Sequence, residues 1–491
     1  MTTEVRSRRP LPEAPSTGPT DATASSEGGA ARVQWGSRLG FVLSAVGSAV
    51  GFGSIARFPM NAANNGGAAF VLLYAGIMLL VGVPLMVAEF SLGRTAQRNA
   101  VGAFSVLTGE RRTRWRYAGL LYVGMAAFFL SWYAGVSGWV LRYAFVSPTG
   151  AYFSDPDTYF LQASEGGDAL FWHFLVLLLT LAIVTGKISK GIERLNLVLM
   201  PTLFLIVIGL AVYALTLDGV AEGYRFYLEP EWSAITLGVV IAAVGQAFFS
   251  LSLGQGAMMT YASYLPQRQS LAGNALTVAV STLTFALVAG FMVFPLLAAF
   301  GLLGTGQAGL GLIFGPLPRA FAAMGPTVGP VIGTLFFSAA FFAAFTSAVS
   351  LIEPAIAYVS EEFGIDRRRA ATLMTLIIYT AGIPVALDTR LLDLEGGVLT
   401  DVLVILGGLL IALFVGWRTP ARIARARMDS GVGLKLSWYI FPLVRWVLPG
   451  ALGVLLFFTI AGSPCGLSGG EEAEGLVGVL FGVDGLGCDG T

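Results

Sequence analysis

The stretch SAVGSAVGFGSIARFP, from Ser44 to Pro59, is apolar overall but contains features that interrupt a helix. Three glycines lie near its middle, and Arg57 stands just before the proline. In a bilayer, unwound backbone is tolerated only where protein covers it or where it lines a cavity. Its carbonyls can bind a dehydrated cation, and the N-terminus of the next half-helix can hold a carboxylate. The stretch therefore predicts a broken membrane helix with sites for a cation and an anionic group.

Two simpler interpretations stay open when this stretch is taken alone. The segment GSAVG has the G-x-x-x-G pattern that marks close packing of membrane helices. The segment GFGSIA (51–56) has the spacing of a nucleotide-binding G-x-G-x-x-A loop, although no strand precedes it and it lies at membrane depth. A second broken helix elsewhere in the chain would favour the broken membrane helix over both of these interpretations.

The composition indicates a membrane protein with many spans. Of 491 residues, 55% are hydrophobic and 12% are charged, whereas a soluble protein carries about 25% charged residues. The net charge is zero, so charge gives no indication of a nucleic-acid partner. Runs of about 17–25 apolar residues can cross a bilayer. We expect eleven spans, near residues 39–60, 67–90, 117–146, 169–186, 193–216, 236–264, 272–300, 328–359, 369–386, 398–416 and 438–461.

Loops rich in arginine and lysine alternate with loops that are poor in cations. Because cationic loops face the cytoplasm, the alternation predicts a cell-membrane protein with a cytoplasmic N-terminus and an extracytoplasmic C-terminus. Residues 1–31 have the composition of a disordered tail. The C-terminal tail, 462–491, contains Cys465 and Cys488. Outside the cell these thiols could form a disulfide or remain free.

A second interrupted span has the same kind of sequence as the first. The segment GQAFFSLSLGQGAMMTYASY, at 245–264, has glycines and hydroxyls clustered near its middle. It belongs to span 6, and spans 1 and 6 each begin a set of five. Glycine-interrupted spans at matching positions in two halves point to a transporter built from inverted repeats. The pair therefore predicts a binding site between spans 1 and 6.

At these stretches the sequence resembles the neurotransmitter:sodium symporter family, and most closely its bacterial amino-acid transporters. The matching stretches are WGSRLGFVLSAVGSAVGFGSIARFPMNAANNGGAAFVLLYAGIMLLVGVPLMVAEFSLGR (35–94), AVGQAFFSLSLGQGAMMTYASY (243–264) and FFAAFTSAVSLIEPAIAYVSEEFG (341–364). The resemblance implies an all-α polytopic fold with two inverted five-helix repeats, 32–216 and 217–417, and broken helices 1 and 6. Residues 418–461 would form a cytoplasmic loop and helix 11.

The resemblance also implies sites for one or two sodium ions. The first uses oxygens of helices 1 and 8, at Gly47, Val50, Ala343, Thr346 and Ser347. The alternative for the last two is that their hydroxyls bond to carbonyls of their own helix. The second site matches Ala49, Ser54, Ser250 and either Ser281 or Thr282. Its helix 1 and helix 7 positions carry hydroxyls where the family usually has asparagine, so the second ion stays open.

A chloride site is the third ion site that the resemblance suggests. Tyr74, Gln246 and Ser250 match the family's chloride-binding positions. Bacterial members that work without chloride supply a carboxylate from helix 7, and residues 272–300 contain none. Chloride dependence therefore stays open.

The amino-acid site of the family is lined by the two helix breaks and by helices 3 and 8. The matching positions are Ala49, Phe52, Gly53, Phe129, Tyr133, Phe249, Ser252, Gln255, Ser347 and Leu351. Monoamine carriers have an aspartate at the position of Gly53, so glycine favours a true amino acid, whose carboxylate Tyr133 would bind. Gln255 is unusual because an apolar residue is common there. It could bond to a polar substrate or face water.

Two gates and one supporting carboxylate complete the family pattern. Arg57 matches the extracellular gate, and Glu395 is the expected partner because the usual aspartate aligns with Gly396. Arg32 and Glu361 match the cytoplasmic gate. Glu89 in span 2 is expected to accept hydrogen bonds from unwound helix backbone.

Together these features predict sodium-coupled symport of a neutral amino acid, with a hydrophobic side chain favoured, by alternating access. A same-fold carrier coupled to protons or another ion, and an amino-acid sensor that does not transport, stay open as alternatives. A membrane enzyme would need a nucleophile and base or metal ligands at depth, and the sequence offers neither. The expected partners are the amino acid and the lipid bilayer; the sequence leaves the oligomeric state open.

Overall fold

The computed structural model describes residues 34–186, 188–303 and 311–461, and within these ranges the chain is helical without β-strands. Nine described helices are long and apolar enough to cross a membrane, and a bent pair makes a tenth. The interrupted pair of span 6 adds one more, which gives the eleven spans expected. The spans are Arg38–Ala49 with Gly53–Asn64, Ala68–Ala96, Arg116–Thr149, Gly166–Val184, Ile192–Ala214, Leu237–Ser250 with Ala257–Ala262, Leu271–Ala299, Gly325–Phe363, Arg367–Leu387, Arg390–Arg418 and Ser437–Ala461.

Shorter helices connect the spans. They are Ala100–Thr108, Pro156–Ser164, Ala221–Leu228, Gly311–Phe314, Pro316–Ala323 and Ala421–Met428, with 3₁₀ turns at Ser147–Thr149 and Trp232–Ala234. Several helices begin at a polar residue whose side chain accepts a backbone N–H of the first turn, as Ser37, Ser270 and Asp366 do. Such caps satisfy donors that the start of a helix leaves unpaired. They therefore define where spans 1, 7 and 9 start.

Span 8 lies at the centre of the fold. In its most apolar stretch 83% of residues are buried within the protein, against 28% in span 5 and 22% in span 11. Span 8 packs most extensively along span 3 and also contacts span 1. Spans 5 and 11 therefore leave most of their surface to lipid, whereas spans 1, 3, 6 and 8 enclose the interior where a site can form.

Both predicted helix breaks are present. Span 1 unwinds after Ala49, bends by 53° and continues from Gly53 as a π-helical turn to Arg57. Span 6 is unwound between Ser250 and Ala257. Within that segment Ser252, Gly254 and Gly256 have φ values of 50°, 70° and 76°. Ser252 is strained because a side chain rarely adopts this left-handed backbone, and such strain is common at functional sites.

The all-helical polytopic prediction is confirmed, and span 10 begins well before its expected start. Span 10 begins at Arg390 rather than near residue 398, since Asp393–Leu399 continues the helix as a π-helical segment. Arg32, the tails 1–31 and 462–491, and Cys465 and Cys488 lie outside the described residues.

Candidate functional site

The two helix breaks meet at a small buried cavity. Its volume is about 20 Å³, which is room for about one water molecule. The residues around it come from spans 1, 3, 6 and 8: Ser48, Ala49, Gly51, Gly53, Phe129, Trp132, Tyr133, Phe249, Ser252, Gln255, Ser347 and Leu351. Among these lining residues none is charged. The cavity therefore suits a small molecule whose net charge is zero.

Nine of the ten predicted amino-acid-site residues line this cavity, and Phe52 does not. Phe52 instead contributes its backbone N–H, which donates to the Tyr133 hydroxyl over 3.1 Å. Sequence reasoning missed Ser48, Gly51 and Trp132 as lining residues. Trp132 follows Phe129 by three positions in span 3, and this spacing places both on one helix face.

Glycine is required at two positions of the span 1 break. A Cβ added to Gly51 would lie 2.5 Å from the Ser347 hydroxyl and 3.1 Å from that of Tyr133. A Cβ added to Gly53 would overlap the ring of Phe249. Hydroxyl groups and an aromatic ring thus approach the unwound backbone directly, which only glycine permits.

A cluster of serine hydroxyls joins spans 1, 6 and 8 beside the cavity. The Ser252 hydroxyl donates to the Ser48 carbonyl over 2.8 Å, and the Ser347 hydroxyl approaches the same oxygen at 3.1 Å. The Ser48 hydroxyl donates to that of Ser350 over 2.7 Å. The bonds hold the broken part of span 1 against both neighbouring helices.

The first predicted sodium site adjoins this cluster. The Ser347 hydroxyl lies 3.4 Å from the Gly47 carbonyl, and the Thr346 hydroxyl donates to the Ala343 carbonyl over 3.0 Å. Thr346 also bonds to Phe342, and both carbonyls belong to its own helix, so Thr346 forms the local bonds of the alternative. The Ser347 hydroxyl, by contrast, reaches span 1. Gly47, Ala343 and Thr346 are fully buried or nearly so, as is Val50. Carbonyl and hydroxyl oxygens of unwound and neighbouring helices are the donor set that binds Na⁺ in such folds.

The second predicted ion region contains buried hydroxyls without described partners. These are the side-chain oxygens of Ser54 and Thr282. Thr282 is fully buried, whereas Ser281 is half-exposed. Of the two residues that the sequence left open, Thr282 is the buried one, because adjacent residues point about 100° apart around a helix.

Gln246 anchors this region to both broken spans. Its amide nitrogen lies 2.9 Å from the Ser250 hydroxyl and 3.3 Å from the Gly53 carbonyl, and its oxygen accepts from Asn61 over 2.9 Å. Unpaired buried hydroxyls cost free energy unless something bonds to them. The unpaired hydroxyl oxygens of Ser54 and Thr282 therefore fit a region that receives an ion.

Glu89 supports the break in span 6. Its carboxylate is fully buried and accepts the backbone N–H groups of Gly254 and Met259, over 3.3 and 3.2 Å. Unwinding removes the helical partners of such groups, and leaving them unpaired in the interior would be costly. Glu89 replaces those partners from span 2.

Arg57 closes one side of the cavity, but with a different partner from the one predicted. Its guanidinium donates to both carboxylate oxygens of Asp401, over 2.8 and 2.9 Å, and lies 4.9 Å above the ring of Phe249. Glu395 does not pair with Arg57, which corrects the sequence prediction. Asp401 can approach because it rests against Gly245 of span 6, where a Cβ would be only 3.3 Å from its oxygen.

The opposite side is closed by bonds between the starts and ends of helices. The indole of Trp35 donates to the Tyr261 carbonyl over 2.9 Å. Glu361 accepts the backbone and side-chain N–H groups of Asn99, at 2.9 and 3.1 Å. The predicted partner Arg32 lies outside the described residues.

A buried ion pair, which the sequence analysis did not predict, joins spans 8 and 9. Glu353, fully buried in span 8, binds the two terminal nitrogens of Arg367 over 2.8 and 2.7 Å and accepts from the Tyr264 hydroxyl over 2.9 Å. Arg367 begins span 9, so the pair links spans 8 and 9. Each charge satisfies the other, which a buried ion requires.

Comparisons with known proteins agree with this geometry. The model of the sodium:neurotransmitter symporter family matches residues 32–155 and 161–461. An uncharacterized sodium-dependent transporter of Bacillus subtilis, YhdH, is 34% identical over 455 residues, covering 88% of this chain and 98% of its own length. A sodium-dependent transporter of Haemophilus influenzae is 32% identical over 457 residues, covering 87% and 97%.

A solved structure shares the fold. The crystal structure of MhsT in complex with L-phenylalanine superimposes with a TM-score of 0.79 at 39% identity, covering 87% of this chain and 99% of that chain. The Bacillus and Haemophilus relatives are described as sodium-dependent transporters, and the matched family is one of symporters rather than enzymes. The two broken spans, the serine cluster and the matched ranges lead to one conclusion: the chain is a multi-pass membrane protein that belongs to the sodium:neurotransmitter symporter family.

Proposed function

We propose that this protein couples the inward movement of sodium to the uptake of a neutral amino acid by alternating access. The observation that carries the proposal is the shared position of Ser347. Its side chain lines the uncharged cavity and also lies 3.4 Å from the Gly47 carbonyl of the first sodium site. One residue thus contacts both proposed ligands. Sodium that holds Ser347 and the unwound span 1 in place would pre-form the amino-acid site, which is thermodynamic coupling.

The ends of an amino acid fit the two breaks. The carboxylate is assigned to the Gly51–Gly53 turn and the Tyr133 hydroxyl, where a new half-helix begins without a side-chain cap. The side chain then lies among the apolar groups of Phe129, Phe249 and Leu351. That MhsT holds L-phenylalanine at 39% identity supports an amino acid as substrate.

The gates are assigned from the same contacts. Arg57, Asp401 and Phe249 form the outer gate, because cation-rich loops place the N-terminus in the cytoplasm. Arg32 and Glu361 remain the proposed cytoplasmic gate. Since the cavity is about 20 Å³, the outer gate must open before an amino acid enters. In this orientation the C-terminal tail is extracytoplasmic.

The number of ions follows from the second region. Ala49, Ser54, Ser250 and Thr282 are the proposed ligands of a second sodium ion. Tyr74, Gln246 and Ser250 are the proposed chloride ligands. Support for the second sodium ion comes from the buried hydroxyls of Ser54 and Thr282, which have no partner among the described residues. Support for chloride is the bond that joins Gln246 to Ser250 beside Tyr74. A requirement for both ions is therefore part of the proposal.

A binding screen tests the proposal. The purified protein is heated with each of the twenty amino acids in sodium chloride, in potassium chloride and in sodium gluconate. A neutral amino acid should raise the melting temperature in sodium but not in potassium, because a ligand that binds the folded state stabilises it. Equal stabilisation in both cations would contradict sodium coupling. Loss of the effect in gluconate would support the chloride site.

A further inference from the structure

Gln255 is a largely buried residue whose amide opens on the cavity. Its side chain is 3% exposed and lines the cavity, and it forms no hydrogen bond with any other described residue. Gln246, on the same span, places its amide against three partners. A polar group on a cavity wall can bond to the water or ligand that occupies the cavity. The amide of Gln255 is therefore available to whatever enters the cavity.

The backbone around Gln255 is fixed, so the side chain stays directed at the cavity. Gly254 and Gly256, on either side, both have left-handed conformations. Glu89 accepts the N–H of Gly254, and a Cβ on Gly256 would lie 2.9 Å from Tyr122. Packing and hydrogen bonding thus hold both neighbours. A position held this firmly can select a ligand.

The rest of the cavity limits what such an amide can recognise. Phe129, Phe249 and Leu351 provide apolar walls, and no described lining residue carries a charge. A charged side chain would be buried there without a counter-ion, at a large cost in free energy. A carboxamide has both donors and acceptors, so it can bond to a hydroxyl or to another carboxamide. The ligand side chain that suits this cavity is therefore neutral and polar.

We propose that Gln255 makes this transporter select amino acids whose side chains end in a hydroxyl or carboxamide over apolar amino acids of the same shape. The inference rests on the proposed function and refines its substrate class. Polar amino acids are preferred because only they can form a hydrogen bond with the Gln255 amide. An apolar analogue fills the cavity but leaves Gln255 unpaired, and sites built to form such a bond reject analogues that lack it.

Isosteric pairs of amino acids provide the test. Apparent dissociation constants are measured from the melting temperature of the full chain in sodium chloride, titrated with threonine and valine, then with glutamine and methionine. We expect the polar member of at least one pair to bind about tenfold more tightly. In the Gln255→Met variant this ratio should fall to about one, since the side chain keeps its size but loses the amide.

Gln162→Met is the matched control. Gln162 is exposed on the short helix Pro156–Ser164, so the same chemical change there should leave the ratio unchanged. If valine and methionine bind the native protein at least as tightly as threonine and glutamine, the inference is wrong, whether or not the variant folds. If no amino acid binds in sodium, the proposed function itself fails. The two failures are thus distinguishable.

Discussion

The ion pair between Arg57 and Asp401 offers a quantitative test of the outer gate. The perturbation is Asp401→Asn, which removes the negative charge while keeping the shape of the side chain. Glu395→Gln, in the same span, is the matched control because Glu395 was the partner expected from sequence. Only the first substitution should remove the ion pair with Arg57.

The size of the effect follows from burial. Charge-assisted hydrogen bonds contribute about 1.5–3 kcal/mol when buried, and exposed ion pairs about 0–1 kcal/mol. The side chains of Arg57 and Asp401 are 18% and 27% exposed, which places this pair between the two limits. We therefore expect a coupling free energy of about 1–2 kcal/mol, or a change of about 5- to 30-fold in the rate that depends on gate closure.

The assay is a double-mutant cycle on sodium-driven uptake. Initial rates are measured for Arg57→Gln, for Asp401→Asn and for the double variant. Because each single change already breaks the pair, the double variant should be no slower than the slower single one. A second cycle pairs Arg57→Gln with Glu395→Gln and should give a coupling energy near zero. The opposite result, coupling to Glu395 and none to Asp401, would refute the gate assignment.

Three further predictions concern the breaks and the first sodium site. Gly53→Ala should weaken amino-acid affinity about tenfold, because the new methyl group displaces the ring of Phe249; a binding titration that gives the native constant would contradict this. Glu89→Ala should lower the stability of the folded protein by about 2–6 kcal/mol, since it leaves two backbone N–H groups unpaired, and a melting temperature equal to the native one would exclude the supporting role. Thr346→Ala combined with Ser347→Ala should raise the sodium concentration for half-maximal uptake about tenfold or more; unchanged sodium dependence would remove that site.

The breaks were predictable because they depend on local sequence. Glycines at Gly47, Gly51 and Gly53 interrupt an apolar run, and the matching interruption in span 6 made simple helix packing the weaker explanation. The structure adds the reason for two of these glycines, which is the close approach of Ser347 and Phe249. The same glycines both interrupt the helix and allow the close packing, so the sequence alone predicted the position of the break.

The gate partner was not predictable because it depends on how span 10 is wound. The segment Asp393–Leu399 is π-helical, and such a segment shifts every later residue around the helix axis. Asp401 then packs against Gly245, which has no side chain to obstruct it. An alignment carries no information about that rotation. Sequence could not decide between Ser281 and Thr282 for a similar reason, since one residue changes the helix face.

Uptake into proteoliposomes tests the central claim most directly. Vesicles containing the purified protein are given a labelled neutral amino acid under an inward sodium gradient, under a proton gradient with equal sodium on both sides, or under no gradient. The account predicts accumulation above equilibrium only with the sodium gradient, and its collapse when a sodium ionophore is added. Accumulation that ignores the sodium gradient, or that a proton gradient alone drives, would contradict sodium-coupled transport.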